Sequence, residues 1–129
     1  TPLLRALELR DHSLVVLLLD HGADIESQDL YDRTGLIISS ELGDSALMVL
    51  LLQQNANVEA RDHLDRTPLL IASRRGHHSL VRLLLQRGAN VNAMDSEGRF
   101  PLMLALAHEN YKIAQLLIDY HADVNQRTR

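Results

Sequence analysis

The chain has 129 residues, a formal net charge of −4, 46% apolar residues and no cysteine. That length suits one compact unit, and with only Tyr31, Phe100, Tyr111 and Tyr120 as aromatics its core must be aliphatic. Disulfide frameworks, thiol catalysis and thiolate-bound zinc are excluded, the negative balance argues against a binder of nucleic-acid backbones, and no apolar run approaches the roughly 18 residues of a membrane span.

Written in rows of 33, the sequence repeats itself. Row one (1–33) opens Thr1-Pro2-Leu3, where Thr can cap a helix and Pro is preorganised for its first turn. This predicts a first helix over about Pro2 to Leu9. Apolar residues at spacings of three and four then predict a second helix over about Ser13 to Asp20, stopped at Gly22. The stretch that follows, Asp29-Leu30-Tyr31-Asp32-Arg33, is polar and turn-prone. Row two (34–66) begins Thr34-Gly35-Leu36, row three (67–99) Thr67-Pro68-Leu69 and row four (100–129) Phe100-Pro101-Leu102. Each row then carries its aliphatic cluster: Leu47 to Leu52, Leu80 to Leu85, Ile113 to Ile118. Helices of about two turns are unstable alone in water, so each row must bury its apolar face against its neighbours. The rows must therefore stack.

The pattern resembles the ankyrin repeat family, whose repeats of about 33 residues open Thr-Pro-Leu-His-x-Ala. Row three matches best, through Thr67-Pro68-Leu69, Ala72, Gly76-His77, Leu83-Leu84-Leu85 and Gly88-Ala89-Asn90-Val91. The resemblance spans essentially the whole chain. It implies one domain, an all-α repeat solenoid of stacked helix-turn-helix units with β-hairpin or loop fingers. It also implies a noncatalytic module, cytoplasmic or nuclear, that binds a protein or peptide partner on its concave finger and first-helix surface. The family histidine is replaced by Leu4, Ile37, Leu70 and Met103. Row two has Gly35 for Pro, Ser39-Ser40 for a small apolar pair and Asn55 for Gly, so it is expected to be the softest internal layer. Row four has Phe100 for the capping Thr and His121 for Gly, and its end is expected to fray. Leu3, Leu4 and Leu7 in the first row and Leu102, Leu104 and Leu106 in the last suggest outer faces meant for cover, hence a segment of a longer chain.

Little in the sequence points to chemistry. Seven histidines are scattered over the rows, only His12 and His78 sharing a row position, without a His-x-x-x-His pair, so no metal site and no cofactor are expected. Most aspartates sit where Asp accepts backbone hydrogen bonds, and no serine has a nucleophile-elbow context. No catalytic residue is assigned.

Recognition is better supported. Arg33, Arg66 and Arg99 close successive rows, a ladder with rungs about 10 Å apart if helix layers pack normally. Arg74 and Arg75 belong beside it on the first helix of row three, and His108 occupies the matching helix of row four. Twelve of the thirteen basic residues are Arg, whose forked donors suit carboxylates and whose plane stacks on aromatics. At the finger tips Leu30, Tyr31, His63 and Leu64 offer an apolar and aromatic anchor. The expected partner is a protein segment bearing acidic groups, met by a monomer. The competing reading is structural: Asp32 or Asp65 neutralises the adjacent arginine, and the finger tips pack on each other. The resemblance also marks Asn125, within Asp123-Val124-Asn125, as a hydroxylation candidate, with Asn92 a weaker match. Bracing the turn is the alternative role.

Overall fold

The structure is a computed structural model that describes residues 1–128. Each row folds into two helices: α1 (Pro2–Glu8) and α2 (His12–Asp20), α3 (Gly35–Leu42) and α4 (Ser45–Gln53), α5 (Pro68–Arg75) and α6 (His78–Gln86), α7 (Pro101–Ala107) and α8 (Tyr111–Asp119). The first helices α1, α3, α5 and α7 pack in that order, and so do the second helices α2, α4, α6 and α8. Two parallel stacks result. Among the described residues no strand forms. The fingers are too short for a ladder and close as loops instead, with the Asp29 amide donating to the Arg33 carbonyl at 3.1 Å.

Capping sets the helix starts. The hydroxyls of Thr1, Thr34 and Thr67 accept from the amides of Leu4, Ile37 and Leu70. The carboxamide or carboxylate of Asp11, Asp44 and Asn110 does the same for α2, α4 and α8; Asp11 accepts a backbone hydrogen bond, as expected of most aspartates, but its place as the cap that starts α2 was not foreseen. His77 holds that place before α6 without a side-chain cap bond. Phe100 also makes none, but its ring is buried, so apolar burial takes over from the cap.

Helix ends follow one rule in every row. A left-handed residue follows each first helix within two residues of its end: Arg10, Gly43, Gly76 and Glu109, with φ between 55 and 75°. The next amide then reaches back five residues, as Asp44 N to Ser39 O and Asn110 N to Ala105 O. Gly22, Asn55, Gly88 and His121 do this for the second helices, letting Ala56, Ala89 and Ala122 donate to Leu51, Leu84 and Leu117 and bury their methyls.

The core is aliphatic, as composition requires. Its second-helix side is formed by Leu47, Met48, Leu51 and Leu52 of α4, Leu80, Val81, Leu84 and Leu85 of α6, and Ile113, Ala114, Leu116 and Leu117 of α8, against Leu7, Leu36, Leu69 and Leu102 of the first helices. Each fully buried leucine contributes about 1.5–3 kcal/mol. In α2 only Val15 is buried. The substitutions peculiar to row two have local reasons: both Ser39 and Ser40 hydroxyls donate to Leu36 O, and a Cβ on Gly35 would lie 2.7 Å from Leu7 Cδ1. Leu3, Leu4, Leu7, Leu102 and Leu104 are interior, so five of the six leucines read as outer faces are core residues; Leu106 is exposed. In the helical part of the first row the large apolar side chains that do face outward are Leu9, Leu14, Val16 and Leu17.

Rows are also stitched by polar atoms. Glu26 accepts from Asn57 N, Glu59 from Asn90 N, and Asn92 from Asp123 N, at 2.6–2.9 Å. The side chains of Asp24, Asn57, Asn90 and Asp123 meanwhile accept from the amide two residues on.

Candidate partner-binding surface

The finger and first-helix face is built around three carboxylates, one per finger. Asp29 Oδ1 accepts from the amides of Tyr31 and Arg33 at 2.9 and 3.0 Å, and its Oδ2 takes Arg33 Nε at 2.8 Å and Nη2 at 2.7 Å. Asp62 holds Leu64 N, Arg66 N and the Arg66 guanidinium in the same way. Asp95 repeats the arrangement with Glu97 N, Arg99 N and Arg99 Nε. Asp32 and Asp65, the neighbours suspected from sequence, take no part in this pairing; they sit at φ 59° and 61°, where the finger turns. The carboxylate four residues upstream is the partner, because only its reach spans both the turn amides and the guanidinium. The recurring Asp-x-x-x-Arg at 29–33, 62–66 and 95–99 carried that signal.

Burial raises the pKa of Asp29 and Asp95, but the arginine and the loop amides outweigh it and hold both below the ordinary carboxylate range. For Arg33, burial lowers the pKa, and Asp29 with Glu41 more than reverses this.

Glu41, on α3, is a residue of this face whose pairing the sequence did not disclose. It accepts from Arg33 Nη1 at 2.8 Å and lies 3.5 Å from Arg66 Nη2, joining two fingers. Glu8, one row earlier, stands 3.8 Å from Arg33. The ladder arginines are thus already engaged within the fold. Arg99 is less so, with Asp95 and the exposed Glu97 at 3.6 Å.

Four of the residues named from sequence come together around one depression. Arg66, Arg74, Arg75 and His108 surround Ile71 and enclose 290 Å³. Ile71 is a buried floor, while Arg74, Arg75 and His108 are exposed. Among the described residues Arg74 and Arg75 form no ion pair and no side-chain hydrogen bond, in contrast to the three ladder arginines. Their place in the last turn of α5 also complements the carbonyl end of that helix.

The finger tips form a second group. The rings of Tyr31 and His63 lie 5.4 Å apart, and Arg33 Cζ is 5.5 Å from the Tyr31 ring centre, within cation–π range. Tyr31 O accepts from His63 N at 3.0 Å, and Leu64 O from Ser96 N at 3.3 Å, so each finger rests on the next. Tyr31 and Leu64 are nevertheless 57% and 40% exposed, and Leu30 is 99% exposed. Asn125 is exposed and its amide donates to Asp123 Oδ1, whereas the Asn92 side chain braces the following row. No group of three His, Asp or Glu side chains among the described residues is placed to hold a metal, and no described helix is long and apolar enough to cross a membrane.

A family model described as ankyrin repeats, three copies, matches residues 36–128. No curated protein matches the chain. Ankyrin repeats are generally modules for protein–protein interaction and typically noncatalytic. With well over half its length matched, and with paired helices repeating in two stacks, this chain belongs to the ankyrin repeat family.

Proposed function

We propose that the finger and first-helix face binds an acidic segment of another protein, with Arg74 and Arg75 as its principal contacts. The observation that supports this reading is that, among the described residues, neither arginine has an ion-pair or side-chain hydrogen-bond partner beside Arg66 and His108 in the depression over Ile71. Buried or paired arginines are common structural devices; two unpaired, adjacent guanidinia at the edge of a concavity offer forked donors to an incoming carboxylate. Arg66, Arg99 and Arg33 line the approach. An extended segment advances about 3.3 Å per residue, so acidic groups about three residues apart would meet successive layers. Leu30, Tyr31, His63 and Leu64 then supply an apolar and aromatic anchor at the tips.

A displayed library of random peptides tests the reading. Peptides retained by the wild-type chain should be enriched in Asp and Glu, and Arg74→Ala with Arg75→Ala should release them while leaving the helical circular dichroism intact. Retention of the same peptides by the folded double variant would reject the surface.

A second reading is favoured by a different observation. The engagement of Arg33, Arg66 and Arg99 with Asp29, Asp62 and Asp95 closes each finger on itself, and Glu41 ties two of these arginines to α3, so the ladder serves as an internal fastening. On that reading the segment is an architectural spacer without its own ligand, and the library would yield no arginine-dependent binder.

A further inference from the structure

The sign of one column of side chains narrows the anion this face can take. The eighth position of each row is Glu8, Glu41, Arg74 and Ala107 in turn. In the first two rows this column supplies carboxylates that meet ladder arginines: Glu8 and Glu41 both reach Arg33, and Glu41 continues to Arg66. In row three the column reverses to Arg74, and the ninth position, leucine in rows one and two, becomes Arg75 and then His108. Where the register of the stack would put the next carboxylate, it puts a second cation instead.

The consequence is an excess of donors. Among the described residues none around the depression is acidic, and of its three arginines only Arg66 has carboxylate partners, Asp62 and Glu41. The carbonyl end of α5 places roughly half a negative charge nearby, which two whole unpaired guanidinium charges outnumber about fourfold. A carboxylate brings a single charge on two oxygens, half of what the two unpaired guanidinium groups offer. A phosphomonoester carries about −1.5 to −2 charges on three oxygens, enough to occupy both forks and an imidazole N–H together. The 290 Å³ over Ile71 has room for such a group and for the carbon that bears it.

We infer that the depression bounded by Arg66, Arg74, Arg75 and His108 receives a phosphorylated side chain on the partner protein. This rests on the partner-binding reading above and specifies the group that enters. Arg74 and Arg75 grip the phosphate, Arg66 and His108 border it, and Ile71 meets its alkyl stem.

Three pools of fluorescent peptides, alike in their degenerate flanks and fixed at the centre as phosphoserine, glutamate or serine, test it on the whole chain. The wild type should hold the phosphoserine pool about tenfold more tightly than the glutamate pool. Arg74→Ala with Arg75→Ala should erase that difference; if this pair loses its helical circular dichroism, Arg75→Gln alone should reduce it. Equal binding of the phosphoserine and glutamate pools, both dependent on the arginines, overturns the phosphate and leaves the acidic-partner reading standing. Absence of any arginine-dependent binding overturns both. Inorganic phosphate bound as tightly as the phosphoserine pool would assign the depression to a small phosphate ligand and overturn the phosphoprotein.

Discussion

Asp29 and Asp95 each hold a loop closed by being ionised, and this couples finger stability to pH. Their folded pKa values lie below that of an unfolded aspartate, so in acid the unfolded chain takes up protons first. The stabilisation is complete above about pH 4 and disappears as the pH falls through the folded values. Urea midpoints should therefore drop between neutral pH and pH 3, and Asp95→Asn should flatten that dependence while costing about 2 kcal/mol at neutral pH. Two equivalent serines make a sharper comparison. Ser40 Oγ donates to Leu36 O at 2.9 Å, whereas Ser73 Oγ, one row later, is buried with no partner. Removing a satisfied hydroxyl loses a bond and removing an orphaned one relieves a penalty. Ser40→Ala is expected to lower stability, and Ser73→Ala to raise it, each by about 1 kcal/mol in chemical denaturation. At this scale the sequence was only partly readable. The repeating arginines were visible, but which carboxylate holds them depends on the turn at Asp32 and Asp65, whose left-handed backbone turns those side chains away from the pairing.

Helices and their ends were more legible, because threonine, proline and glycine mark them in every row. The predicted first helix differed from α1 by one residue, and the second began one residue early, at His12, since the Asp11 cap had not been recognised. The left-handed residue after each first helix also escaped notice, because Arg10 and Glu109 carry it in two rows where glycine does in the others. Glu109→Gly should relieve the strain at φ 55° and raise the thermal midpoint, by about 0.5–1 kcal/mol in stability. Gly43 and Gly22 separate backbone strain from crowding. Both are left-handed, but a Cβ on Gly43 would fall 2.6 Å from His77 Cε1, while one on Gly22 meets nothing within 4 Å. Gly22→Ala should cost about 1 kcal/mol. Gly43→Ala should cost clearly more, with the difference removed in a background where His77 is also shortened to alanine.

Across the whole molecule, the 33-residue period was sufficient to foresee the layered stack, since short helices have no other way to bury their faces. It could not foresee where charge collects, because that depends on which rows of the eighth and ninth columns come to border the same concavity. Burial is unequal along the stack: α4 and α6 each bury four apolar side chains and α2 buries one. Local opening follows local burial, so amide exchange in α2 should outpace that in α4 and α6, measurably by proton–deuterium exchange at neutral pH. Equal protection across all second helices would contradict the additive behaviour expected of a repeat array.

The acceptors at Glu26, Glu59 and Asn92 reach only forward, each toward an amide of its successor. Because glutamate and asparagine present the same oxygen there, this joint is generic: it recognises main chain and not a particular side chain. Interior rows should consequently be interchangeable parts. A copy of residues 67–99 spliced in after itself would find a compatible seat at both junctions, and would lengthen the array by one turn of the pattern while doubling its cationic notch.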